Sequence, residues 1–360
     1  MLPYFLLISV ILCSYGTSKY LRYTSKQGSI IFTAIAVLSL IMFAALRAPH
    51  VGTDSRTYLA IWNYSIVDEF ELTLFSEPLF LVYNYITKTI VVLFDLDYWL
   101  FFFGISSIVC YLYINSIERL SVYKTQSLLL FILLGFYTYH FNGARQAITI
   151  AVFLFAYRYI VSGEAKKYLF IIFIGFLVHK SIIIALPFYY FFRVGLTLKN
   201  ITLIVLGSLF MALSVQSVVD VAASYDSRYS GYADPNFGGG GLTSVLFFSA
   251  LLVWLWLSMR MNRIVSKLYE NALLAMLVSV CIGWLSLALS LNPSGILRLI
   301  AYFTQFSILT LPISVMAFPA GIQRTVVAMS VYTVLFSYFY LNTSSFSGLS
   351  PYRMSVELPL

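Results

Sequence analysis

Three arginines stand where a long apolar chain should hold no charge. Arg145 follows Phe141-Asn142-Gly143-Ala144 and opens the run RQAITIAVFLFA, Arg298 lies two residues into another run, and Arg47 closes a third. A charge at the end of a lipid-immersed helix is costly unless something compensates it. Planar guanidinium forks at such ends suit a phosphate or diphosphate group, and the helix N-terminal amides beside Arg145 and Arg298 would assist. The blander alternative is that each arginine snorkels or pairs with a carboxylate such as Asp54 or Glu77. His179 and Lys180 interrupt the apolar stretch FIIFIGFLVHKSIIIALPFYYFF. Neutral imidazole there would serve as a general base, with Lys180 as a further cation for the diphosphate. The competing reading is a polar kink with His179 bonded to a neighbouring helix. Asp54, in VGTDSRTY, and Glu77, in SEPLF, are candidate partners for a histidine, an arginine or a sugar hydroxyl. In YDSRYSGY, Tyr225, Tyr229 and Tyr232 fall at helical spacing. Their flat faces suit a glycan or, equally, an interfacial aromatic belt.

The elements that must position these residues follow from composition. Of 360 residues, 61% are hydrophobic and only 10% charged, against about 25% charged in a soluble domain; mean hydropathy is +0.89. No water-facing surface can be built from such a chain, which rules out nucleic-acid binding, Rossmann chemistry and zinc modules. Apolar runs of roughly twenty residues, enough to cross about 30 Å of hydrocarbon, recur to about residue 341. The expected fold is an all-α polytopic membrane protein: one transmembrane domain over 1–360 with about twelve crossings. Spans are expected at 3–21, 29–46, 98–117, 127–142, 146–161, 201–218, 243–260, 271–291, 297–318 and 323–341. Two stretches stay open. Residues 77–95 either cross or lie interfacially or re-entrantly, and 168–192 either crosses or forms two short helices meeting at His179-Lys180.

Orientation rests on the Lys/Arg bias. With 77–95 kept on the outer face and 168–192 going up and returning, the inner loops hold 14 of the 22 basic residues, and the outer face keeps eight basic against eleven acidic. Making both stretches single crossings loses most of this bias. Two outer loops stand out by length, 47–97 and 218–242. The acidic run Val67 to Glu71 reads as a solvated turn. Cys13, Cys110 and Cys281 lie in apolar runs and read as small core residues. The histidines share no metal-ligand spacing, and neither metal nor cofactor is expected.

An ordered set of short motifs runs through the chain. Arg47-x3-Val51-Gly52-x-Asp54-x3-Tyr58 is followed by Ser76-Glu77-Pro78, Phe141-Asn142-Gly143-x-Arg145-Gln146-Ala147-Ile148, and His179-Lys180-Ser181 with Leu186-Pro187. Arg298-x3-Tyr302-Phe303 and Pro351-Tyr352 complete it. This set resembles the EpsG family of Wzy-like bacterial polysaccharide polymerases. The resemblance implies an inner-membrane, GT-C-like glycosyltransferase with its active site facing the periplasm. It would move a growing glycan from undecaprenyl diphosphate onto another lipid-linked repeat unit. Arg145, Arg298, Arg47 and Lys180 would hold the diphosphate, His179 would activate the acceptor hydroxyl with Asp54 or Glu77 orienting it, and Tyr58, Tyr225, Tyr229 and Tyr302 would contact the glycan. Partners would be the undecaprenyl-diphosphate-linked oligosaccharide, membrane lipid and, as an open question, a Wzz-like chain-length regulator. The alternatives are a flippase or transporter of the same lipid-linked unit, expected to show internal repeats and midplane charges, and an O-antigen ligase.

Overall fold

Apolar runs placed in lipid can satisfy their backbone groups only within themselves, so they fold as helices. The computed structural model describes residues 1–64, 77–225, 241–289 and 293–355. In chain order its α-helices are α1 (Leu2–Leu21), α2 (Lys26–Ala45), α3 (Ser55–Tyr64), α4 (Pro78–Phe94), α5 (Trp99–Leu120), α6 (Lys124–Leu133), α7 (Phe136–Asn142), α8 (Ala144–Val161) and α9 (Ala165–Val178). After a 3-10 turn at Lys180–Ala185 come α10 (Phe188–Val194), α11 (Leu198–Tyr225), α12 (Leu242–Asn262), α13 (Lys267–Ala288), α14 (Pro293–Thr304), α15 (Ser307–Met316) and α16 (Ile322–Leu341), which runs into a π turn at Asn342–Phe346. The described residues contain no strand, only an isolated bridge between Arg47 and Met354.

Seven of the described helices are long and apolar enough to cross a membrane, or eight if the pair Arg298–Thr304 and Ser307–Met316, bent by 46°, is one span. The chain is therefore a multi-pass membrane protein. The expectation of about twelve crossings also counted shorter segments, and one of these is instructive. Residues 127–142, expected as one span, are α6 and α7, separated where Gly135 adopts a φ of 82°. That left-handed conformation comes without penalty only to glycine. The stretch 168–192 is α9, the 3-10 turn and α10, with its interruption at His179-Lys180.

The helix α8 is central: 72% of its span is buried, against 11% of the Ile322–Phe346 span. A helix apolar on all sides belongs inside a bundle, and α8 packs on α5, α9 and α7. By contrast α16 offers Val326, Met329 and Val334 outward. At one end of the bundle, Glu118 near the end of α5 accepts from Lys124 of α6 at 3.0 Å and from Lys19 and Tyr15 of α1. Three helix ends are tied there.

At the opposite end the chain's last described residues form a strap. Ser355 N–H donates to Leu46 O at 2.8 Å, Ala48 N–H to Arg353 O at 2.9 Å and Gly52 N–H to Gly348 O at 2.9 Å. Tyr352 stacks on Phe43 with ring centroids 4.0 Å apart and donates to the Phe43 carbonyl. Within the strapped loop, Gly52 has a φ of 96°, and a Cβ there would meet the Phe141 carbonyl oxygen at 2.6 Å. Gly52→Ala is therefore expected to cost about 1–3 kcal/mol and to lower the thermal unfolding midpoint in detergent. Gly207→Ala, inside α11 where a Cβ meets nothing within 4 Å, should not lower that midpoint, because alanine is the better helix former.

Candidate active site

The strapped end also gathers the candidate residues. Glu77 precedes α4, whose first residue is Pro78, a favourable start because its missing N–H would be unpaired there anyway. The break between α7 and α8 at Gly143 puts Arg145 in the first turn of α8. The end of α9 leaves His179 in an extended conformation, with its N–H still donating to Gly175 O at 2.9 Å. These three ends converge on one carboxylate. Glu77 Oε1 lies 2.5 Å from His179 Nδ1, and Glu77 Oε2 accepts from Arg145 Nη1. Glu77 is only 4% exposed, so both partners are needed to offset the desolvation of its charge.

A second ion pair stands beside the first. Arg298 Nη2 reaches Asp54 Oδ2 at 3.3 Å, and Asp54 Oδ1 also accepts from the Thr53 hydroxyl at 2.9 Å. Gln146, next to Arg145, links the pairs: its Nε2 donates to the Arg298 carbonyl at 3.2 Å and its Oε1 accepts from the Tyr139 hydroxyl at 2.9 Å. Behind His179, the Tyr302 hydroxyl bonds Ser181 at 2.8 Å and Thr149 at 2.5 Å. That contact ties α14, α8 and the 3-10 turn together.

The sequence expectations divide here. His179, Glu77, Arg145, Asp54 and Arg298 come together. Arg47 does not join them. It is 1% exposed, its guanidinium carbon lies over the rings of Phe102 at 3.7 Å and Phe141 at 4.2 Å, and it donates to Ser55 and the Ala44 carbonyl. Such a packed guanidinium holds the loop and has no open face for a diphosphate. Lys180 lies over the Phe176 ring at 4.1 Å. Tyr302 is 0% exposed and Tyr58 is buried beside Arg145, its ring centroid 5.8 Å from the guanidinium. Both support the cluster from within, whereas a glycan contact needs an open ring face. Tyr225 ends α11, and Tyr229 and Tyr232 lie outside the described residues, as do Val67 to Glu71 and most of 218–242.

Sequence reasoning assigned no role to Gln146, Ser181, Thr149, Tyr139 or Asn142. The first two stand immediately beside Arg145 and behind Lys180 in the motifs above, and that adjacency was the available signal. Among the described residues, no group of three or more His, Cys, Asp or Glu is placed to hold a metal ion.

The site joins a histidine–carboxylate pair to two arginines at one end of a membrane bundle, an arrangement suited to proton abstraction beside an anionic leaving group. The fold around it is that of a multi-pass membrane protein with a charged cluster at the ends of its helices. The chain belongs to the EpsG family of Wzy-like polysaccharide polymerases, whose model matches residues 30–354. Searches of the curated proteins and of the solved structures find no match.

Burial by itself would raise the Glu77 pKa, but the His179 hydrogen bond and the Arg145 charge together outweigh it and hold the carboxyl below its ordinary 4.5. A depressed folded-state value means that its stabilisation is complete above pH 4.5 and is lost as pH falls through the lower folded value. Glu77→Gln should therefore cost about 1–3 kcal/mol at neutral pH, read as a lower unfolding midpoint. The gap from wild type should stay constant down to about pH 5 and close in more acid solution.

Proposed function

We propose that the protein polymerises a lipid-linked glycan at the outer face of the bacterial cytoplasmic membrane. The reaction moves the growing chain from undecaprenyl diphosphate to the non-reducing end of another lipid-linked repeat unit. The observation that carries this reading is the single buried carboxylate shared by His179 and Arg145. A carboxylate can only accept, so the proton between it and Nδ1 belongs to the imidazole, which leaves Nε2 as the basic nitrogen.

In the proposed step, Nε2 of His179 takes the proton of the acceptor hydroxyl as its oxygen attacks the anomeric carbon of the donor sugar. The bond from that carbon to the diphosphate oxygen breaks, and the electron pair leaves with undecaprenyl diphosphate. Glu77 holds the ring and stabilises the imidazolium that forms, a division of labour familiar from histidine–aspartate pairs. Arg145 and Arg298 meet the charge developing on the leaving group, a task for which preorganised cations are effective in a partly desolvated site. Asp54 keeps Arg298 in place until the diphosphate competes for it. The outer loops expected at 47–97 and 218–242 would receive the glycan, and the surrounding apolar helices admit the prenyl chain.

The test is a gel of surface glycan from a strain lacking the gene, complemented with wild type, His179→Ala or Arg145→Ala. Loss of a positioned general base costs roughly 10²–10⁴-fold in rate and loss of a charge-stabilising donor roughly 10²–10³-fold, so neither variant should restore a polymer ladder, although both should insert in the membrane at normal levels. Cores bearing one repeat unit in the deletion strain would agree with polymerisation. Bare cores would point instead to ligation or flipping, and normal ladders from both variants would overturn the assignment.

A further inference from the structure

Three interruptions of helical backbone meet around one cavity. Gly135 separates α6 from α7, the π turn Asn342–Phe346 follows α16, and the bent pair breaks after Thr304. Gly135, Asn342, Phe346 and Thr304 all line a space of about 350 Å³, within the roughly 300–1,000 Å³ of small-molecule sites. Irregular backbone inside a membrane bundle leaves carbonyls and amides unpaired, and is tolerated where it faces water or a ligand; π turns recur at functional sites for a related reason.

The wall mixes polar and apolar surface within a bundle that is otherwise apolar. More than half of its residues carry a hydroxyl, an amide or a guanidinium, among them Thr53, Thr138, Asn142 and Ser347. Asn142 holds two of its sides together: Oδ1 accepts from Thr53 N–H at 2.9 Å and Nδ2 donates to Ser347 O at 2.7 Å. The charged residue in the wall is Arg298, the same side chain that reaches Asp54. The cavity therefore shares a residue with the candidate active site, and the facing carboxylate compensates its cation.

We propose that this cavity binds an uncharged sugar residue of the lipid-linked glycan, placing it next to the reacting centre. The inference rests on the polymerase reading for the identity of that glycan. Hydroxyls and amides spread over several sides match the many hydroxyls of a sugar ring. Apolar side chains of the same wall, among them Phe248 and Leu349, suit the C–H faces of that ring.

The experiment uses the full chain in lipid nanodiscs and, as probe, the repeat-unit oligosaccharide released by mild acid from the strain's lipid-linked pool. This probe carries neither prenyl chain nor diphosphate. Its binding is measured by equilibrium dialysis. Wild type should bind it. Ala301→Phe, which fills the cavity, should weaken binding at least about tenfold, and Asn342→Leu, which removes an amide from the wall at similar size, by roughly 3- to 10-fold. Thermal midpoints identify any variant that fails to fold, and Asn342→Leu decides the matter if Ala301→Phe is one. Equal binding by wild type and the cavity variants, or no binding by wild type, overturns the proposal. If those variants bind normally while wild type still restores a ladder, the cavity assignment falls and the polymerase reading stands. If the chain restores no ladder but binds the oligosaccharide through this cavity, the sugar site stands and the polymerase reading falls.

Discussion

A single buried carboxylate, Glu77, sets the arrangement of the helix ends around it. Removing such a charge from water is expensive, and leaving it with one partner fewer would cost most of what the second partner offsets. Its two oxygens are satisfied from different elements, His179 at the end of α9 and Arg145 at the start of α8. The start of α4, the break before α8 and the termination of α9 are thus tied to one another through a requirement for charge compensation. Each would otherwise be a soft place in an apolar bundle, where packing alone discriminates weakly between one helix end and the next.

The rest of the molecule holds that convergence in register. The buried helix α8 carries Arg145, Gln146 and Thr149 along its first two turns, so the same rigid element reaches Glu77, the Arg298 carbonyl and Tyr302. The C-terminal strap pins the loop that carries Asp54, and Arg47 fills the space beneath it between two aromatic rings. At the far end, Glu118 ties three other helices through Lys19, Lys124 and Tyr15. Charged residues therefore mark both ends of the bundle, and the long apolar faces between them are left to lipid.

Much of this was legible before any coordinates. Composition requires a membrane bundle, and the polar pair His179-Lys180 made a break one of two readings of 168–192, because two polar residues sit poorly in the middle of an apolar helix. Charges at helix ends marked Arg145 and Arg298, and of the alternatives weighed for them the structure shows the carboxylate pairing: Arg145 faces Glu77 and Arg298 faces Asp54. Other features were hidden for physical reasons. A charge at a helix end does not reveal which way it points, so Arg47 looked equivalent to Arg145 although aromatic rings enclose it. One glycine does not announce a left-handed turn, so 127–142 read as one span. Buried rings such as Tyr302 share their sequence signature with exposed ones, because an i+4 spacing fixes the helix face and not what covers it.

The most direct test of the central claim is the tautomer of His179, read by NMR of ¹⁵N-histidine-labelled full-length protein in lipid nanodiscs. The chain has only three histidines, so single replacements assign the signals. The account predicts that His179 carries its proton on Nδ1, in a strong hydrogen bond, and that Glu77→Gln moves both of its ring-nitrogen resonances while leaving those of His50 unchanged. A His179 spectrum indifferent to Glu77→Gln, or one showing the proton on Nε2 alone, would contradict the shared carboxylate as the organising interaction of this site.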